Sequence, residues 1–175
     1  MVNNKMPQEK IYIGIIGAGK CNEKSYKKAV KLGKEIACND GIVICGGKSG
    51  IMEAVCKGTK ENDGISIGIL PEENRNRANN YLNFSLTTGM GQARNLIIVT
   101  SSNVVIAVSG AYGTLSEIAL AQKHKTPTIL LDSWPLLNID YNFDRSLLFK
   151  ADNPKNAVEL AMNLAEKNSE QKSRN

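Results

Sequence analysis

Short apolar runs recur along this chain, each closed by glycine or proline or by a polar turn, and most are followed by apolar residues at helical spacing. The clearest run is Val104-Val105-Ile106-Ala107-Val108, β-branched and apolar throughout, as suits a strand buried on both faces of a parallel sheet. Ser109-Gly110-Ala111-Tyr112-Gly113 breaks it. Thr114-Leu115-Ser116-Glu117 then opens a helical pattern that Ile118, Ala119 and Gln122 continue to about Lys123. Residues 11–16 predict an earlier strand, Gly17-Ala18-Gly19-Lys20 its turn, and residues 23–39 a helix with the stripe Tyr26, Ala29, Val30, Gly33, Ile36 and Ala37. Asn39-Asp40-Gly41 ends that helix. Ile42–Cys45 predicts the second strand, Gly46-Gly47-Lys48-Ser49-Gly50 the second turn, and residues 51–61 the second helix.

Ile65–Leu70 reads as a third strand, closed by Pro71, and residues 72–81 as a polar loop near the site. Residues 82–86 suit a short strand. A third turn runs through Thr88-Gly89-Met90-Gly91-Gln92-Ala93-Arg94-Asn95, with Thr88 as a helix N-cap and the helix reaching about Ser101. Thr128–Leu131 predicts another strand, residues 132–144 an irregular segment, and residues 147–150 a last strand. Asn153-Pro154 supplies a cap and a first-turn proline for a final helix that presents Ala157, Val158, Leu160, Ala161 and Leu164. Alternating strands and helices without internal repeats predict an α/β, Rossmann-like, doubly wound parallel sheet in a single domain. The expected division is a flexible N-terminus (1–9), the domain (10–167) and a flexible polar tail (168–175).

In such a sheet the β–α turns lie along one edge, and ligands bind there. Each turn aims backbone N–H groups and the positive end of a helix at one region, which favours an anion. Glycines that only permit positive φ would explain one such turn alone. Four of them, carrying Lys20, Lys48, Arg94 and Glu117, predict a convergent pocket for an anion or nucleotide. Gly17, Gly19, Gly46, Gly47, Gly89, Gly110, Ala111, Tyr112, Gly113 and Thr114 are its expected lining. Arg94 is the one cation in a neutral stretch early in a helix, where it opposes the dipole unless an anion joins it. Two familiar motifs are excluded. Gly14, Gly17 and Gly19 do not make GxGxxG and no acid ends the second strand, so NAD is discounted. Lys48-Ser49 lacks the earlier glycine that GxxxxGK[ST] requires ahead of Gly47, so the stretch is not a P-loop.

The chain has 175 residues, enough for one substantial core. Its four cysteines form no CxxC pair and its one histidine, His124, has no partner, so no metal site is expected. Reduced thiols, the lack of an apolar signal core and the lack of any apolar run of about 20 residues predict a cytoplasmic protein without a membrane span. The net charge of +5 is spread over one lysine-bearing helix and the tail, without a dense basic block, so nucleic acid is not an expected partner. It still favours anionic small molecules. Leu96, Ile97, Ile98, Val99, Leu115, Ile118 and Leu120 offer more apolar surface than one sheet face needs, which predicts a homodimer or higher homo-oligomer.

The stretches Gly46 to Val55, Thr88 to Asn95 and Gly110 to Glu117 resemble the Rossmann-like LOG superfamily, whose members were once labelled lysine decarboxylases, a label their chemistry does not support. Within it the chain is similar to the branch of molybdenum cofactor carrier proteins and uncharacterised bacterial relatives. Another branch, the cytokinin riboside 5′-monophosphate phosphoribohydrolases, cleaves the N-glycosidic bond of a nucleoside monophosphate with an arginine and the glutamate of PGGxGTxxE. Arg94 and Glu117 match that pair, and Gly110, Gly113 and Thr114 match the phosphate turn. Ser109 replaces the proline, Ala111 the second glycine, and Gln92 and Asn95 the histidine and lysine around the arginine.

The resemblance therefore implies two functions. The first is binding of an anionic nucleotide- or pterin-type molecule, a nucleotide or the molybdenum cofactor, with no further cofactor required. The second is nucleoside 5′-monophosphate N-glycoside hydrolysis with Arg94 and Glu117 catalytic. A purely structural or interaction protein would explain the fold but not four convergent polar turns.

Overall fold

The computed structural model describes residues 10–138 and 143–172, with the side chains of the final helix described as far as residue 167. The expected N-terminal segment 1–9, residues 139–142 of the irregular segment and the last three residues of the tail lie outside them. The described chain forms one seven-stranded sheet in the order β4-β3-β2-β1-β5-β6-β7, every pair parallel. The strands are β1 (Tyr12–Gly17), β2 (Ile42–Cys45), β3 (Ile65–Leu70), β4 (Phe84–Thr87), β5 (Val104–Val108), β6 (Thr128–Leu131) and β7 (Leu148–Ala151). The helices are α1 (Glu23–Cys38), α2 (Ile51–Lys60), α3 (Asn95–Thr100), α4 (Tyr112–Lys123) and α5 (Pro154–Lys172). This is the doubly wound α/β sheet the alternation predicts.

Strand periodicity sorts the core into two halves. Ile13 and Ile15 of β1, with Val104, Ile106 and Val108 of β5, pack against α1, α2 and α5. Ile16, Val105 and Ala107 point the other way, towards Ile98, Val99, Ile118 and Ala121 of α3 and α4. The runs of β2, β5 and β6, apolar but for Thr128, are buried at every residue, as a strand covered on both faces must be. On α1 the buried face is Ala29, Leu32, Gly33 and Ile36, capped at its start by Asn22, whose side chain accepts from the Ser25 N–H.

Two local expectations change. Thr88 caps no helix: its hydroxyl donates to the Leu70 carbonyl at 2.7 Å and accepts from the Met90 N–H. A 3₁₀ turn over Gly91–Arg94 precedes α3, which is only six residues long, so Arg94 stands just before the helix. At the other end, α5 continues to Lys172.

The sheet order reverses between β1 and β5. The C-terminal ends of β1, β2, β4 and β5 thus bring the four glycine-bearing turns to one edge, beside the loop after β3.

Candidate functional site

The first two turns interlock. The Ser49 hydroxyl donates to the Gly19 carbonyl at 3.0 Å, and the Ile51 N–H donates to Ala18 O at 3.1 Å. A Cβ on Gly50 would stand 2.4 Å from Ala18 O, so this contact requires glycine. Asn79, from the polar loop, straps the second turn. Its N–H donates to Gly47 O at 2.9 Å and its side-chain amide to Lys48 O at 3.1 Å.

The third turn reaches the second through Arg94. The guanidinium lies over Gly46, where a Cβ would meet Nη2 at 2.5 Å and Nη1 at 2.6 Å. Glu117, from α4, faces the same guanidinium with Nη1 and Oε1 3.9 Å apart, too long for a hydrogen bond. Both side chains are buried. Nε and Nη1 of Arg94 have no hydrogen-bond partner in the chain, nor have Asn95 Oδ1 and Thr114 Oγ1. Burial raises the Glu117 carboxyl from 4.5 to about 7, against the opposing pull of Arg94. Burial likewise lowers the Arg94 pKa, with Glu117 opposing. A buried guanidinium 3.9 Å from the Glu117 carboxylate, with two nitrogens unpartnered, is an incomplete ion pair with donors suited to an oxyanion.

Other predicted site residues are placed less centrally. Lys48 is engaged by Glu72 at 2.5 Å, so its charge is balanced within the chain, and that contact holds the Glu72 carboxyl below its ordinary value. Gly89 packs against Glu73, not against the guanidinium. Gly17 supports the site from below, because a Cβ there would strike Ile51 and the Val108 carbonyl at 2.7 Å. Gly19 and Gly113 border open space, Lys20 is exposed, and Ala111 begins α4 without any side-chain cap.

Gly110 turns away from Arg94 towards the segment after β6, which the sequence predicts as irregular chain. A Cβ on Gly110 would lie 2.7 Å from Trp134 Nε1 and 3.4 Å from Ser133 Oγ. The indole N–H donates to Ala111 O at 3.4 Å, and the indole ring meets the Tyr112 ring at a 6.1 Å centroid distance. Asp132 pairs with Lys28 of α1. Ser109, Gly110, Asp132, Ser133 and Trp134 line a cavity of about 230 Å³. The signal for it was present in Asp132-Ser133-Trp134, which directly follows a buried strand at the ligand edge.

Among the described residues no three His, Cys, Asp or Glu side chains group as metal ligands. No helix among them is long and apolar enough to cross a membrane.

The sequence model of the SLOG cluster4 family matches residues 10–167. A structure titled as the molybdenum cofactor binding protein of Rippkaea orientalis is 38% identical, with a TM-score of 0.83 over 89% of this chain and 98% of that one. The molybdenum cofactor carrier protein of Chlamydomonas reinhardtii is 34% identical, with a TM-score of 0.82 over the same shares. A rice protein (Oryza sativa subsp. japonica) named as a probable cytokinin riboside 5′-monophosphate phosphoribohydrolase is 27% identical over 76% of this chain, which spans 60% of its length.

Proposed function

The chain belongs to the SLOG cluster4 family, and from that premise we propose that it binds an anionic nucleotide- or pterin-type small molecule at the C-terminal edge of the sheet, as a carrier does. The observation that carries this reading is the buried Arg94 guanidinium, whose Nε and Nη1 donate to nothing in the chain while the Glu117 carboxylate stands 3.9 Å away. A phosphate oxygen is the acceptor these donors suit. The Gly110–Gly113 turn and the uncapped first turn of α4 add backbone N–H groups. The similar Rippkaea and Chlamydomonas proteins, titled for molybdenum cofactor binding, support a pterin phosphate as one member of the ligand class. Such a cargo fits this donor set: Arg94 and the α4 turn would hold its phosphate, and Thr114 Oγ1, also without a partner, would serve as a further donor.

A second reading, N-glycosidic cleavage of a nucleoside 5′-monophosphate, is favoured by the pairing of Arg94 with Glu117. It needs Glu117 as an anion beside a cationic transition state. With its carboxyl raised to about 7 by burial, Glu117 gives up its proton less readily at neutral pH than an ordinary carboxyl, which favours binding over cleavage.

The test is calorimetry with inorganic phosphate and with nucleoside monophosphates, alongside an assay for free base and ribose 5-phosphate. The carrier reading expects phosphate-dependent binding that weakens in Arg94→Ala by about 1.5–3 kcal/mol, with no turnover. Turnover that vanishes in Glu117→Gln while binding persists would overturn it in favour of the hydrolase.

A further inference from the structure

The segment after β6 carries features that anion binding does not use. Among the described residues, five non-glycine residues have positive φ. Three of them, Asp40, Asp63 and Lys125, follow the ends of helices. The other two, Ser109 and Asp132, directly follow the adjacent strands β5 and β6, and both line the 230 Å³ cavity. The cavity is smaller than the roughly 300–1,000 Å³ of a pocket for a whole drug-sized ligand, so it suits one ring system and not an entire nucleotide. Its contents are specific. Trp134 is fixed by its N–H bond to Ala111 O and by the ring of Tyr112, which is itself 84% exposed and offers a free face. Ser133 Oγ is shielded from solvent and has no hydrogen-bond partner. Asp132 accepts from Lys28 through one carboxylate oxygen, Oδ2, and its Oδ1 takes no hydrogen bond from Lys28.

Building on the reading above, we infer that Asp132, Ser133, Trp134 and Tyr112 form a ring subsite for the 2-amino-4-oxopyrimidine edge shared by guanine and pterins. The aromatic pair supplies the stacking surface. The Asp132 carboxylate accepts from the ring N–H and the 2-amino group, two donors side by side that adenine lacks. Ser133 completes the set as donor to a ring nitrogen or oxygen. The Gly110–Gly113 turn joins this subsite to α4, from which Glu117 faces Arg94. One ligand can therefore place its ring at Trp134 and its anion at the turn.

Trp134 is the only tryptophan in the chain, so its emission reports on this subsite alone. The folded full chain is titrated with GMP, AMP and inorganic phosphate by fluorescence, and with these and neopterin phosphate by calorimetry. GMP is expected to quench Trp134, and GMP or neopterin phosphate to bind at least about tenfold tighter than AMP, the scale of one bidentate pair. The tighter of the two identifies guanine nucleotide or pterin as the source. Asp132→Asn keeps a side chain that tolerates positive φ but replaces one acceptor by a donor. It is expected to abolish the preference over AMP and leave inorganic phosphate affinity unchanged. Trp134→Leu, followed by calorimetry, is expected to weaken GMP but not phosphate.

AMP binding as tightly as both other ligands, or a preference that survives in Asp132→Asn, overturns the ring subsite. If phosphate still binds through Arg94 in that case, the anion site stands without it. Absence of binding by every probe at millimolar concentration overturns both.

Discussion

Glu117 shows how far a single residue departs from its sequence expectation once its surroundings are known. Its ordinary pKa is 4.5 and its folded value about 7, raised by burial. Between those values the folded chain holds a proton that the unfolded chain has released. Stability therefore falls as pH rises through that window, and the full penalty stands above it. Glu117→Gln carries no charge to bury. It is expected to be more stable than the native chain at pH 8, on the order of 1–3 kcal/mol, with the gap closing towards pH 5. Denaturant unfolding at both values checks it, and an unchanged difference across the range contradicts the buried-carboxyl account. The two predicted cations also separate at this scale. Arg94 keeps Nε and Nη1 without hydrogen-bond partners whereas Lys48 is engaged by Glu72, so Lys48→Ala is expected to cost a phosphate ligand less affinity than Arg94→Ala, in the same calorimetric titration. Arg94 and Glu117 were legible because both sit at fixed offsets from glycines within their own turns. Glu72 and the Asp132–Trp134 group were not. Lys48 meets a residue 24 positions away, and Gly110 meets Trp134 only because β6 lies beside β5.

At the scale of elements, strands and long helices were readable because burial on both faces or on one stripe writes its period into the sequence. α1 has its predicted bounds to within a residue. The start of α3 was not readable. Thr88 is a good cap by residue type, yet its hydroxyl is taken by Leu70 O, and the turn before α3 tightens to 3₁₀ geometry. The packing of α1 on α2 was equally hidden. Gly33 looked like one more position of an apolar stripe, but a Cβ there would lie 2.0 Å from Val55 O, and one on Gly58 would lie 1.9 Å from Val30 O. The two helices cross backbone to backbone at this reciprocal pair. Gly58→Ala must push them apart, although alanine alone would favour the helix. We expect it to destabilise by about 1–3 kcal/mol, the range for overpacking, with ligand affinity kept because Gly58 lies in the last turn of α2, at the end opposite the Gly46–Gly50 turn. Thermal unfolding beside phosphate calorimetry reads both, and a stabilised variant would contradict the crossing.

For the whole molecule, a doubly wound parallel sheet followed from the alternation of strands and helices, so the ligand edge was legible before any side chain was placed, whereas the strand order is seen only in the structure. Association is a different matter, because it depends on which apolar residues the fold has already used. Of the seven residues on which a dimer was expected, Ile98, Val99 and Ile118 are in the protomer's own core, and Ile97, Leu115 and Leu120 pack partly against it. Leu96 remains exposed, with Met90 close by in the chain and also exposed. We propose the homodimer on this smaller surface, which begins two residues after Arg94 and so borders the anion site. Sedimentation velocity at micromolar concentration is expected to give twice the 19.0 kDa chain mass. Leu96→Glu puts a charge on an exposed position outside both core clusters, so it is expected to leave the fold intact and to give the mass of one chain. If the interface supports the site, phosphate affinity falls with the dimer. A native chain that sediments at 19.0 kDa contradicts the dimer outright. A Leu96→Glu chain that stays dimeric moves the interface to another exposed apolar surface, of which Phe84 and Leu86 on the edge strand β4 are the next to change.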